Sequence, residues 1–296
     1  MATSNNENSE IRIGVSSCLL GQEVRFDGGH KRDRYVLETL AEHVTLVPVC
    51  PEVEVGMGTP RETVRLVGDS SAPRMVGGKS GEDWTDRMNR YSAKRSRELA
   101  AEDLCGYVFK KNSPSCGVFR VKVYNEKGHL SIPPGRGLFA AEYAKQYPLT
   151  PIEEEGRLHD PGLRENFLER VFAFRRLKDL FTGRWKRGAV IDFHSREKYL
   201  LMAHSPQRLK EPGQLTARIK DHKPAEFRDA YMAGFMGILE MKGTTRIHVN
   251  ALQHMMGYLR DHLSAEERKR VLAVLEEYRQ EMVPLIVPMT LVRHYI

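Results

Sequence analysis

Three short apolar runs in the first half of the chain each end in a turn, and each turn leads into a cysteine. Ile11 to Val15 ends at Ser16-Ser17-Cys18. Val44 to Val49 ends at Cys50-Pro51. Gly106 to Phe109 is followed by Lys110 to Gly117, which carries Cys116. Runs of this length, bounded by turn residues, read as strands. Val64 to Val67, Arg74 to Val76 and Phe119 to Tyr124 read as further extended pieces. Between the strands the spacing turns helical over Arg34 to Ala41, over Asp83 to Glu102 (Trp84, Met88, Tyr91 and Leu99 on one stripe), and over Gly137 to Gln146. Such alternation predicts an α/β architecture with a mostly parallel sheet.

An open parallel sheet binds its ligands outside the carboxyl ends of its strands. Three thiols placed after three strand ends can therefore meet at one site. Spacing alone leaves the matter open. There is no CxxC pair, so a zinc ribbon or ferredoxin has no support, and three inert thiols stand beside one metal or cluster site as readings. Cys105, next to Leu104 at a strand start, reads as a small core residue.

Near Tyr147 to Pro161 the composition changes. Residues 151–162, with Glu153-Glu154-Glu155 and Pro161-Gly162, read as a linker between an α/β domain at 11–150 and an all-α domain at 163–296. Helical candidates follow at Leu163–Phe181, Ala189–Ala203, Pro206–His222, Ala225–Lys242, Thr245–His262 and Ala265–Met282. Asp160 and Ser264 are candidate N-caps, and Ser264 with Glu267 fits a capping box. His194 and His204 lie ten residues apart, which is not a ligand spacing on one helix face. Residues 1–10 read as a polar, disordered tail without the features of a signal peptide. With four cysteines in 296 residues, reduced thiols and a cytoplasmic setting are expected rather than a disulfide scaffold. No apolar stretch is long enough to span a membrane.

The net charge of +7 is unevenly placed. Residues 1–160 hold 22 Lys+Arg against 23 Asp+Glu, whereas residues 161–296 hold 24 against 16. A basic half beside a neutral half suggests a polyanion, nucleic acid first, although a solvated helical surface gives the same count. Arg184, Trp185, Lys186 and Arg187 form a cationic-aromatic cluster of a type that suits RNA.

The segments VSSCLLG, VPVCPEVEVGMGTPRE and KKNSPSCG, in that order, resemble the signature of the thiouracil desulfidase family. The segment FHSREKYLLMAHSP resembles a helical domain often fused to it. The fused arrangement resembles the branch that removes sulfur from 4-thiouridine in tRNA. The resemblance implies a Rossmann-like first domain and a 4Fe–4S cluster held by Cys18, Cys50 and Cys116, with one iron open. It implies Glu52 as the catalytic acid–base and Ser113 as an active-site hydroxyl. Ser16, Ser17 and Ser115 are then candidate donors to the cluster, and Arg61, Lys110 and Lys111 candidate substrate contacts. tRNA is the expected partner, held by the basic half; the acceptor of the released sulfide is not readable. Two other readings remain: a desulfidase of free thiolated bases such as 2-thiouracil, and a cluster-bearing RNA-binding module without turnover.

Overall fold

The computed structural model describes residues 10–125, 127–131, 133–260 and 262–295. The expected disordered tail lies, but for its last residue, outside the described residues. Contacts divide the chain into two compact units, Met1–Arg176 and Leu177–Ile296.

The first unit is built on four parallel strands: β1 (Arg12–Ser16), β2 (Thr45–Val49), β5 (Gly106–Phe109) and β7 (Ile152–Glu154), in the order β2-β1-β5-β7. The chain runs outward from β1 to β2 and later returns to β1's other side as β5, so the order reverses between β1 and β5. That reversal is where open α/β sheets leave a crevice. β5 is buried along its whole length, as expected of a strand covered on both faces. Gly14 sits opposite Tyr107 in the β1–β5 register, and a β-carbon there would come within 2.3 Å of the Tyr107 ring. The missing side chain lets that ring lie over β1 and stack on Phe109 at 3.9 Å. Phe139, Tyr143, Val49 and Cys116 complete the same core.

A second sheet departs from the single-sheet expectation. It joins β3 (Val64–Val67), β4 (Arg74–Gly77) and β6 (Val123–Tyr124) in the order β4-β3-β6, with β3–β4 antiparallel. The strand expected over Phe119 to Tyr124 shrinks to β6. The backbone N–H groups of Val118 and Phe119 donate to the Glu154 carboxylate (2.8 and 3.0 Å) instead of a neighbouring strand, and Arg120 turns the chain with φ +54°. The helices of this unit are α1 (Arg34–Glu38), capped by Asp33, α2 (Pro51–Glu54), α3 (Thr85–Glu98), α4 (Leu138–Gln146) and α5 (Pro161–Leu180), the last crossing the unit boundary. Asp160 caps α5 through the Leu163 N–H at 2.9 Å.

Residues 151–162 are not a linker. They form β7 and the turn into α5, and Glu153, Glu154 and Glu155 are all buried. Each acid is satisfied: Glu153 by Arg157, Glu154 by the two amides above, Glu155 by Lys110 Nζ (2.5 Å) and the Lys111 N–H (2.7 Å). Composition cannot separate a buried, paired acidic run from a solvated one. Glu154→Ala would strand two amides and is expected to cost about 3 kcal/mol in chemical denaturation, while Glu154→Gln, which keeps an acceptor, costs less than about half of that. Equal costs would mean that the carboxylate is not the acceptor that matters.

The second unit is helical: α6 (Arg187–His204), α7 (Lys210–Ala217), α8 (Pro224–Leu239), α9 (Thr245–Leu259), α10 (Ala265–Arg279) and α11 (Ile286–His294). The helix expected over Pro206 to His222 is shorter, since it gives way to a tight turn at Ile219–Asp221 before Pro224 opens α8. Phe181, Phe227 and Phe235 pack around Tyr231 in its core, Phe227 stacked on the Tyr231 ring and Phe181 edge-on to it, and Leu252, Val271 and Leu275 anchor α9 and α10. The Ser264–Glu267 capping box is present. His194 pairs with the Tyr231 hydroxyl and His204 with the Met241 carbonyl, both packing roles. No helix among the described residues is long and apolar enough to cross a membrane.

Candidate active site

A cleft of about 510 Å³ opens beyond the carboxyl ends of β1, β2 and β5, and Cys18, Cys50 and Cys116 all line it. Each thiol is held by local structure. Cys18 lies in the helical turn that follows β1 and closes at Gly21 (φ +83°), and its carbonyl accepts the Lys31 N–H at 2.9 Å. Cys50 is the N-cap of α2, and its thiol is directed at the Val24 carbonyl, 3.9 Å away. Cys116 closes the turn from Ser113, whose hydroxyl accepts the Cys116 N–H at 3.1 Å. That turn rests on the start of α4. Gly137 makes this possible, because a β-carbon there would meet the Ser115 carbonyl at 2.6 Å.

Burial is the main influence on all three thiols. It pushes Cys18 up to about 11, against the nearby Lys110 charge, and raises Cys50 and Cys116 as well; the Ser16 hydroxyl opposes the rise at Cys116. Cys116 feels both other thiols and Cys18 feels Cys50, which places the three sulfurs in one electrostatic neighbourhood. Yet no three His, Cys, Asp or Glu side chains among the described residues close around a single ion. The thiols border one space without converging on a point. Cys105 is buried in the core and does not line the cleft.

Glu52, in the first turn of α2, faces the same space. Its Oε1 accepts the Ser115 hydroxyl at 2.5 Å and the Ser113 hydroxyl at 3.3 Å, and the two serine oxygens lie 2.9 Å apart. Its Oε2 accepts Arg61 Nε (3.1 Å) and an Nη (2.5 Å). The other Nη of Arg61 donates to the carbonyls of Val24 and Gly58. Arg61, a candidate substrate contact by sequence, thus spends its guanidinium on the protein, where it orients Glu52. Ser115, a candidate donor to the cluster, is the nearest hydroxyl to Glu52. Glu54 is directed elsewhere, to the Cys50 N–H, Tyr91 and Arg95.

Ser16 is buried and accepts the Lys110 N–H while facing Cys116. Ser17 is buried at the cleft wall. Lys110 lines the cleft but pairs with Glu155, a partner hidden in the stretch that composition marked as a linker. Lys111 is exposed on the rim. Arg184, Trp185, Lys186 and Arg187 belong to the second unit and do not line the cleft. Trp185 packs against Phe181 (5.3 Å) and Phe227 (5.7 Å), so its ring is half committed to the core, while the three basic side chains are exposed.

Fold and site together define an α/β protein with a thiol-lined cleft at the reversal point of its parallel sheet. The family model of 2-thiouracil desulfurase matches residues 13–155, and that of a protein of unknown function, DUF1722, matches residues 198–296. The chain is 31% identical over 133 residues to the uncharacterized protein YbgA of Escherichia coli K12, which covers 45% of this chain and 79% of that protein. It is 34% identical over 110 residues to the uncharacterized protein YbbK of Bacillus subtilis 168, covering 36% of this chain and 72% of that protein. A solved structure described as a 4Fe-4S-dependent thiouracil desulfidase, TudS, aligns at 28% identity over 54% of this chain and 99% of that one, with a TM-score of 0.44. The chain belongs to the thiouracil desulfurase family, in a form that carries a second, helical unit.

Proposed function

We propose that the chain is an iron–sulfur-dependent desulfidase that replaces the sulfur of 4-thiouridine in tRNA with oxygen. The observation that carries this reading is the cleft itself, which three thiols and the Glu52–Ser113–Ser115 network line together. The donor set fits a 4Fe–4S cluster held by Cys18, Cys50 and Cys116. Thiolates are the ligands such clusters take, and three thiols spread around a cleft suit a group larger than one ion. When bound, the cluster supplies an open iron that acts as a Lewis acid toward the thiocarbonyl sulfur.

The rest of the reaction falls to the chain's own residues. Replacing C=S by C=O consumes one water and releases hydrogen sulfide, with no net electron transfer. Glu52 takes a proton from the water that attacks C4. Ser113 and Ser115, both bonded to the carboxylate, carry protons between it and the cleft. Arg61 keeps the carboxylate turned toward the serines. Ser16, facing Cys116, and Lys110, facing Cys18, favour the thiolate forms that hold iron.

tRNA is preferred over a free base because the positive excess lies in residues 161–296. A free base has no use for a cationic helical unit, whereas phosphates do. The family's name favours the other reading, a free base such as 2-thiouracil. The two separate in one experiment. Anaerobically reconstituted protein is given 4-thiouridine-containing tRNA or 2-thiouracil, and loss of the thiocarbonyl absorbance is followed. The expected kcat/KM is at least about tenfold higher for the tRNA and falls as salt rises. The reverse order makes the free base the substrate.

A further inference from the structure

A second hollow of about 370 Å³ lies in the first unit, walled in part by Phe119, Arg120, Arg136 and Arg157. We propose that it binds a phosphodiester of the RNA backbone close to the reacting nucleotide; this rests on the tRNA reading above. The arginines are arranged to present charge. Arg136 is anchored by its Nε to the Val118 carbonyl at 3.2 Å, which leaves its Nη groups for a ligand. Arg157 is fixed by its Nε to Glu153 and lies over the Phe119 ring at 4.5 Å. Arg120 is exposed and, like Arg136, makes no ion pair among the described residues.

The acids behind the hollow are turned inward. Glu153 also accepts the Glu154 N–H, and Glu154 is bonded to the amides of Val118 and Phe119. Three guanidinium groups against two carboxylates leave one positive charge, which one phosphodiester would balance. The backbone adds a separate sign. Arg120 holds φ +54°, a conformation that glycine or asparagine takes more easily than a long side chain. An arginine held there at a conformational cost fits a ligand-facing role.

Position completes the argument. Val118, Phe119 and Arg120 wall the hollow, while Cys116, Val121 and Lys122 line the thiol cleft, so one short run borders both. Cys116 and Arg120 are separated by at most about 14 Å of chain. A strand of RNA with its base in the cleft therefore has a neighbouring phosphate within reach of the arginines.

The test is salt-dependent binding of two RNA hairpins of one sequence, with and without 4-thiouridine, by fluorescence anisotropy. In the Arg120→Asn/Arg136→Gln protein, affinity for both hairpins is expected to fall about tenfold at ~0.1 M salt, and the slope of log Kd on log salt to drop by about 0.7–0.9, the loss of one phosphate contact. Arg136→Lys, which keeps the charge, should retain most of the slope. Arg120→Asn suits the backbone, so an unchanged melting temperature will separate lost binding from lost folding. A slope that does not change in the double variant overturns the site. Sulfide release from the thiolated hairpin by the parent protein reports separately on the desulfidase reading. A parent that binds both hairpins without releasing sulfide removes that reading and leaves the hollow standing. A parent that binds neither overturns both.

Discussion

The Cys18→Ala protein is expected to hold less than about one iron per chain after anaerobic reconstitution, where the parent protein holds about four. The reason is the distribution of the three proposed ligands around the cleft. The thiols come from separate strand ends, and nothing else among the described residues groups with them as a metal-binding cluster. Losing one of three thiolates leaves no substitute on that side. Burial pushes the Cys18 thiol up to about 11, so in the empty protein it carries a proton at neutral pH, and iron must displace that proton to bind. A cation therefore works against both burial and protonation, and only the full ligand set compensates. Cys50→Ala and Cys116→Ala should behave alike. Cys105→Ala, in the core and away from the cleft, should keep its iron. Iron analysis, the visible thiolate-to-iron absorption and the melting temperature check this together, because a bound group raises the melting temperature of the state that binds it. A Cys18→Ala protein with undiminished iron would place the ligand elsewhere.

The site was legible where topology makes chemistry local. Strands of one parallel sheet present their carboxyl ends on the same side, so cysteines just past three such strands are brought together by fold class alone. Glu52 was singled out by the resemblance alone, since an acid two residues after a cysteine reads equally as a solvated loop residue; the structure places it in the first turn of the helix that Cys50 caps. Other features depend on partners distant in sequence. Glu155 reaches Lys110 across 45 positions, and Glu154 reaches Val118 across 36. In the sequence that acidic run has the composition of a solvated linker; in the structure it clamps the loop between β5 and Cys116. Arg61 was visible as a residue of interest but not its task, since an arginine that orients a carboxylate and one that grips a substrate share one signature. The second sheet was hidden for a related reason. The stretch before β6 has strand-like residues, yet its amides are taken by a side chain.

Glu52→Gln is expected to keep its iron and lose turnover by about 10²–10⁴-fold, the range typical of removing a positioned acid–base group. Glutamine is close to isosteric, so it can present its oxygen to Arg61 and its amide to the serine oxygens, which preserves the packing of α2 beside Cys50. What it cannot do is take up a proton from water. The geometry also predicts how the neighbours behave. Ser113 and Ser115 bond to each other and to the same carboxylate oxygen, so either can partly stand in for the other. Ser113→Ala alone should slow turnover by about tenfold, and Ser113→Ala added to Glu52→Gln should cost little more, because residues that act as a unit are not additive. Arg61→Lys keeps a positive charge but loses the paired contact from Nε and Nη to one oxygen, and should lower kcat with little change in KM. Single-turnover kinetics on reconstituted, iron-matched proteins separate these effects from cluster loss. Should the Glu52→Gln protein with full iron turn over within about threefold of the parent, the proton must be taken by another group. Glu54 is a poor substitute, since its carboxylate is already divided among the Cys50 N–H, Tyr91 and Arg95, and Glu155 is committed to Lys110. With those acids engaged, Glu52 is the carboxylate lining the cleft that both serines reach, which is why the largest rate loss short of losing the iron is assigned to it.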